Sequence, residues 1–355
     1  ISNLSDTDFS NRFKRLPKRN HVCLTDKGVA KKTGKFDEEV IYKGCRFAFD
    51  IEMVAESGDI DSASSFFDEV LSSLYSSTFR IGGGTRNGFG KMKVHEIKKR
   101  TLILSNECEL DKYLNYSSIL SSNYADWDSF EKSSTDKGWI TYELTLTPVD
   151  FFSFGAGFGD KDVDDIQVRE EHIEWKDQNE GAFKEKYLIP ATSLKGAIAH
   201  RVAFYSNLKE GKYAMQIPVE EFDNYSGGMN KAVGLLFGYQ KDKEDLRRGI
   251  CIFNDLFVEK NEKQEKVFNH VSIDRFTGGA IDGALFSEKV IDGRDLKLKT
   301  TIMVKDTGEE GLTDALECLE RALKDIDLGT LTFGGGSGRG HGTFKCSIIK
   351  NGQTL

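Results

Sequence analysis

Residues 77–97 read "STFRIGGGTRNGFGKMKVHEI", and residues 329–349 read "GTLTFGGGSGRGHGTFKCSII". Both carry the pattern GGGxxxGxG in the same register, between segments that alternate apolar and polar residues. Glycine, with no Cβ, lets a backbone approach a ligand closely and turn its N–H groups toward an anion. Cations beside it (Arg80, Arg86, Lys91 and Lys93 in the first stretch, Arg339 in the second) add charge suited to phosphate oxygens. One such loop is an ordinary glycine-rich hairpin or an anion cradle; two in register point to a duplicated unit.

Working outward, "HVCLTDKGVAKKTGKFDEEVIYKG" (residues 21–44) aligns with "HVSIDRFTGGAIDGALFSEKVIDG" (residues 270–293), with about one residue of slippage. Each is followed by an alternating apolar run, "CRFAFDIEMV" at 45–54 and "LKLKTTIMV" at 296–304, the period-two mark of a strand with one buried face. Helical spacing comes next, in Phe66, Phe67, Val70, Leu71 and Leu74 and again in Leu312, Ala315, Leu316, Leu319 and Leu323. Strand, helix, strand, glycine loop, strand is therefore written twice. That order suits an α+β fold of tandem ferredoxin-like (RRM-like) modules, with antiparallel sheets and helices on one face.

Only the second copy has a preceding half, from about residue 138 to 258. It opens with the strand pattern "WITYELTLTPV" (139–149), continues through "FFSFGAGFGDKDVDD" (151–165), and reaches "YLIPATSLKGAIAHRVAFYSN" (187–207), a strand end that turns into a helix at Thr192 or Ser193. Residues 1–100 thus read as the C-terminal half of a first module, 101–137 as a Ser-, Asn- and Asp-rich connection, and 138–355 as a complete second module. The missing half, and the absence of a starting Met, set the expectation that more chain precedes residue 1.

At 355 residues, with 38% hydrophobic and 30% charged side chains, the chain has the composition of a globular protein. No apolar run approaches the ~20 residues that cross a bilayer, and the start has no apolar signal region. Six scattered cysteines without CxxC spacing fit reduced thiols in a cytoplasmic protein better than a disulfide or zinc framework. With a net charge of −8, a polyanion must be met by local basic patches against the global field.

Neither loop is a nucleotide signature. "GFGKM" places Met92 where a Walker A loop needs Ser or Thr, and a strand pattern follows where a helix is required. For a dinucleotide fingerprint, Asn87 and Arg339 stand where the third glycine belongs.

Five segments in order ("YLIPATSLKGAIAHR", "LLFGYQ" at 235–240, "GICIFNDLFV" at 249–258, "VSIDRFTGGAIDGALFSEKVI" at 271–291 and "FGGGSGRGHGTF" at 333–344) resemble the RAMP superfamily of CRISPR-associated proteins, and more narrowly the backbone subunits of type III effector complexes. The resemblance covers residues 138–350 and, in reduced form, 21–100. It implies an RRM-like core that binds guide (CRISPR) RNA, stacking of modules or subunits along that RNA, and a thumb hairpin that kinks the duplex with complementary target RNA.

The resemblance assigns guide-RNA phosphate contacts to Ser193, Lys195 and Gly196, where a helix N-terminus adds its own favourable dipole. Ala191 and Ala199 depart from the family's usual glycine and arginine, and Arg201 is a candidate replacement. Gly82, Gly83, Gly84, Arg86 and Lys91 in the first loop, with Gly335, Gly336, Arg339 and His341 in the second, are expected to lie along RNA backbone. Residues 272–286 fit the thumb, where Arg275 holds phosphate and Phe276 stacks on an unpaired base for about 1–3 kcal/mol. The corresponding "TDKGVAKKTGKFDEE" (25–39) is cationic and poor in aromatics.

Family members that cut target RNA use an aspartate between the first glycine-bearing loop and the SLKG helix. Asp165, with Asp164 beside it, matches best, as a ligand of Mg²⁺ held mostly by water and phosphate. The same Asp160, Asp162, Asp164 and Asp165 also describe a solvated acidic loop. Three readings stay open: a guide-RNA-binding backbone that cleaves target RNA, a non-catalytic scaffold of the same complex, and a metabolic enzyme with a phosphate cradle.

Overall fold

The computed structural model describes residues 11–25, 29–56, 58–117, 124, 126–131, 137–176, 180–242 and 244–355. Parts of the expected first hairpin tip (26–28) and connection (118–123, 125 and 132–136) lie outside them. The chain divides into two compact units, one formed by residues 1–45, 84–89 and 138–355, the other by 46–83 and 90–137.

In chain order the strands are β1 (Lys18–Leu24), β2 (Ala30–Glu39), β3 (Lys98–Lys99), β4 (Asp128–Ser129), β5 (Trp139–Pro148), β6 (Phe151–Phe152), β7 (Arg169–Trp175), β8 (Gly181–Ile189), β9 (Gly238–Gln240), β10 (Leu246–Arg248), β11 (Cys251–Ile252), β12 (Leu256–Glu259), β13 (Glu265–Ile273), β14 (Ala280–Asp292), β15 (Leu298–Lys305), β16 (Phe344–Lys350) and β17 (Gln353–Thr354). The helices are α1 (Ile60–Leu74), α2 (Glu107–Leu114), α3 (Ala191–Lys209), α4 (Phe222–Ser226), α5 (Lys231–Phe237) and α6 (Leu312–Asp327).

The first unit is built on a five-stranded antiparallel sheet in the order β11-β15-β5-β16-β17. Chain order β5–α3–β11–β15–α6–β16 with β5 and β15 at the centre is the split βαβ arrangement of a ferredoxin-like fold. The alternation that marks the strands also decides what is buried. Tyr142, Leu144 and Leu146 of β5 face Leu298, Ile302 and Val304 of β15 and Phe344, Cys346 and Ile348 of β16 in one core, which the helices cover. Ala191, Leu194, Ile198 and Val202 form the buried stripe of α3; Leu312, Ala315, Leu319, Leu323 and Ile326 form that of α6. Helix α3 begins at Ala191, with Pro190 in the N-cap position. Three further antiparallel sheets, β12-β8-β7, β13-β14-β6 and the two-stranded β10-β9, lie in the same module, the second being the long hairpin expected at 272–286.

The β1–β2 hairpin belongs to this same unit. Arg19, only 8% exposed, anchors it, with Nε donating to Glu170 Oε2 and Nη1 to Asp255 Oδ2, both at 2.6 Å. Two carboxylates facing one guanidinium keep the buried charge bonded on both sides, as burial demands. Further along, Ile173 N–H donates to Lys43 O at 2.8 Å and Trp175 Nε1 donates to Gly44 O at 2.6 Å.

The second unit contains α1, α2 and the two-residue strands β3 and β4. Here the expected strand at 45–54 is not formed, and Phe47, Phe49, Ile51 and Met53, every second residue, remain exposed. The complete module supplies the reason. Its corresponding strands, β15 and β16, do not pair with each other but with β5 between them. The first repeat has no described counterpart of β5, so its alternating segments lack the strand that would take up their hydrogen bonds.

Candidate nucleic-acid interface

The two glycine loops have the same backbone. Gly82, Gly84, Gly88 and Gly90 have φ of 85°, 62°, 98° and 73°; Gly334, Gly336, Gly340 and Gly342 have 86°, 72°, 89° and 76°. Matching hydrogen bonds close them, from Ile81 N–H to Gly90 O and Phe333 N–H to Gly342 O at 2.9 Å, and from Asn87 N–H to Gly84 O (2.7 Å) and Arg339 N–H to Gly336 O (2.8 Å). A Cβ on Gly90 would stand 2.1 Å from Ile81 O, and one on Gly342 2.1 Å from Phe333 O. Left-handed φ and close backbone approach together explain why the pattern tolerates only glycine there. Nothing lies within 4 Å of a Cβ built on Gly82, Gly83, Gly338 or Gly340, so those edges are bare.

The tip of the first loop, residues 84–89, packs within the first unit. Gly88 bridges Asn254, and a Cβ on it would meet Asp255 Oδ1 at 2.5 Å and Ala191 Cβ at 2.8 Å. Arg86 Nε donates to Gly249 O (3.1 Å), Lys195 Nζ to Asn87 Oδ1 (3.0 Å) and Arg248 Nη2 to Thr85 Oγ1 (2.9 Å). The loop thereby brings Arg86 beside Lys195, two residues expected to act in separate modules. Burial pulls the Lys195 ammonium below the ordinary lysine range, and Arg86 lowers it further. Arg86 is lowered in the same way, by burial first and then by Arg248. At the start of α3, Ala191 N–H already donates to Asp255 Oδ1 at 2.8 Å, while Ser193 and Gly196 face solvent. Arg201 is engaged elsewhere, paired with Asp325 of α6 and stacked on Phe204 at 4.7 Å. In the second unit, Lys91 bridges Arg80 and is lowered by burial and then by that arginine.

In the second loop, Arg339 and His341 meet the root of the β13–β14 hairpin. Arg339 Nη2 donates to Glu288 Oε1 at 2.8 Å; His270 Nε2 lies 2.8 Å and His341 Nδ1 3.9 Å from the same oxygen. His341 is 7% exposed and packs against Phe151 and Phe268. Gly335 is exposed, while Gly336 is half-buried against His341. At the far end of the hairpin, Asp274 Oδ1 accepts from Phe276 N–H and Thr277 N–H, which fixes the turn and leaves Phe276 fully exposed beside exposed Arg275.

The acidic loop is tied to the same hairpin. Asp160 Oδ2 pairs with Lys289 Nζ at 2.8 Å, and that contact holds its carboxyl at about 2. Asp164 Oδ2 accepts from Ser287 N–H (2.8 Å) and Ser287 Oγ (3.0 Å). Asp165 faces the other way, toward Gly155, where a Cβ would come within 2.5 Å of its Oδ2. Its Oδ1 is buried without a hydrogen-bond partner, and burial raises its pKa against bonds from Gly157 and Ile166 N–H. Magnesium takes one or two carboxylates plus water and phosphate oxygens, so the carboxylate must reach solvent. Asp165 as placed is half-buried with Oδ1 enclosed, and among the described residues no group of three His, Cys, Asp or Glu could hold a metal ion.

The residues that sequence reasoning missed are Arg248, His270 and Glu288. No motif marks Arg248. His270 and Glu288 had a signal in the repeat itself, because His21 and Glu38 occupy the aligned positions.

Fold and site together define a ferredoxin-like α+β module with a C-terminal glycine loop and a projecting hairpin, preceded by a second copy of that loop and hairpin. The model of the RAMP superfamily matches residues 134–345, and the chain belongs to that family of CRISPR-associated proteins. Among curated proteins the sequence finds no match. Membership brings a CRISPR-associated, RNA-binding role. Among the described residues no helix is long and apolar enough to cross a membrane.

Proposed function

We propose that the protein is a guide-RNA-binding backbone component of a type III CRISPR effector, working in the cytoplasm beside further modules or subunits and presenting complementary target RNA to its thumb. The observation that carries this reading is the pair of glycine loops with matching φ and hydrogen bonds. A chain that repeats its RNA-facing element suits a ligand that repeats its phosphates. The exposed Phe276 beside Arg275 supports the thumb assignment, since an aromatic ring stacks on any unpaired base.

The orientation of Asp165 favours the scaffold form of this reading over the cleaving form. In the cleaving form Asp165 would turn outward to hold Mg²⁺ with water and phosphate, with Asp164 beside it.

Purification from cells carrying a guide locus tests the main reading. RNA of uniform length should come with the protein and dissociate steeply between low and moderate salt. Protein free of RNA that instead binds a mononucleotide would favour the phosphate-cradle enzyme. For the cleaving form, Asp164→Ala with Asp165→Ala in the assembled complex should leave target RNA intact; unchanged cutting would remove these aspartates from the chemistry.

A further inference from the structure

Arg86, Lys195 and Arg248 come from three separate stretches of chain: the first glycine loop, the second turn's approach in α3, and the end of β10. They influence one another as like charges, Arg248 on Arg86 and Arg86 on Lys195. Their hydrogen-bond partners among the described residues are all neutral: Gly249 O, Asn87 Oδ1 and Thr85 Oγ1. Among the described residues, no salt bridge joins any of the three to a carboxylate. Asp255, which lies against Gly88 of the same loop, is held by Arg19 at 2.6 Å and by Ala191 N–H at 2.8 Å. Cys251, which burial pushes up to about 12, stays neutral and brings no charge. Arg86 and Lys195 are half-buried and Arg248 is exposed; half-buried cations without a counter-ion are costly unless an anion completes them.

We propose that Arg86, Lys195 and Arg248 form one site for a single phosphate group, built jointly by the first repeat's loop and the second module's helix. In the RNA-binding reading above, on which this assignment of the ligand rests, the occupant is one phosphodiester of the bound strand. Loop and helix therefore grip the same phosphate, where sequence alone assigned them to separate modules. Arg248 is the third member, and it is exposed, so its replacement leaves the core intact.

The test compares wild type with Arg248→Gln and with Arg86→Gln plus Arg248→Gln, using single-stranded RNA and, separately, inorganic phosphate. With RNA, each variant should bind roughly 3- to 10-fold more weakly. The slope of log affinity against log salt should fall by about 0.7, the release expected for one phosphate of a single strand. The double variant should lose little more slope than the single, because only one phosphate is involved. With phosphate, wild type should gain thermal stability and the double variant should not. If wild type binds RNA and Arg248→Gln binds it with the same affinity and slope, the site is wrong and the RNA reading stands. If wild type binds no RNA yet phosphate stabilises it and not the double variant, the site stands and RNA is the wrong ligand. If phosphate acts equally on both proteins, the triad is not an anion site.

Discussion

The two hairpin roots are the same device made from different side chains. In the second repeat His270 stacks on Phe286 at 4.7 Å, lies 2.8 Å from Glu288, and its neighbour Phe268 packs on His341 of the glycine loop. In the first, His21 stacks on Phe36 at 5.0 Å, lies 2.9 Å from Glu38, and its neighbour Arg19 sits over Phe89 at 4.6 Å. Phe89 and His341 occupy the same place in GGGxxxGxG and lean over the same glycine, Gly84 or Gly336. Strand pairing, ring stacking and loop conformation are thus shared, while the charged members differ. Arg19 replaces Phe268 and carries the first hairpin into a buried ion pair; Arg339 replaces Asn87 and carries charge into the second root. The first copy has turned its device toward protein. Both loops keep bare edges, and the second copy keeps its hairpin tip aromatic.

The largest effect should come from breaking the member that differs most. Arg19→Ala leaves Glu170 and Asp255 buried without their shared cation, an expected loss of about 3–5 kcal/mol. Phe268→Ala, at the aligned place, removes a half-buried ring and no charge, and about 1–2 kcal/mol is expected. Urea denaturation of the two variants should keep that order. Equal losses would mean that Arg19 acts as packing alone.

Next in size is the shared backbone. Gly342→Ala forces a side chain into φ 76° and within 2.1 Å of Phe333 O, for an expected cost of about 3 kcal/mol. Gly338→Ala, four residues earlier, meets open space at an ordinary φ and should stay within about 0.5 kcal/mol of wild type. A Gly342→Ala protein as stable as Gly338→Ala would deny the loop its conformation.

Much of this was legible because periodicity reports burial. The alternation at 139–149 and 296–304 and the helical spacing at 312–323 each became the element they suggest. The glycine register foretold matched φ angles because positive φ leaves few alternatives to glycine. The segment at 45–54 carries as clear an alternation and makes no strand, because a strand depends on partners that its own residues do not specify. The site was less legible still. Lys195 and Arg86 were visible as cations, but their meeting depends on where the first loop docks, and Arg248 sits in no pattern at all. Arg201 looked free and is held by Asp325, a contact between two helices that no local spacing reveals.

The smallest effect separates two carboxylates of one acidic loop. Asp160, held at about 2 by Lys289, favours the folded state above the unfolded carboxylate pKa of about 3.9 and loses that contribution as pH falls toward 2. Asp165, raised by burial, has the opposite sign. Its folded form holds the proton more tightly, so its contribution declines as pH rises from about 3.9 through the raised value. Asp160→Asn should therefore be less stable than wild type at pH 7 and converge with it in acid. Asp165→Asn should gain on wild type as pH rises, because its neutral amide avoids the buried charge. Denaturation at several pH values reads both. An Asp165→Asn protein that is less stable than wild type at pH 7, and only with magnesium present, would place a cation on the unpartnered oxygen. The second copy would then be the cutting one, and the two repeats would differ in chemistry as well as in charge.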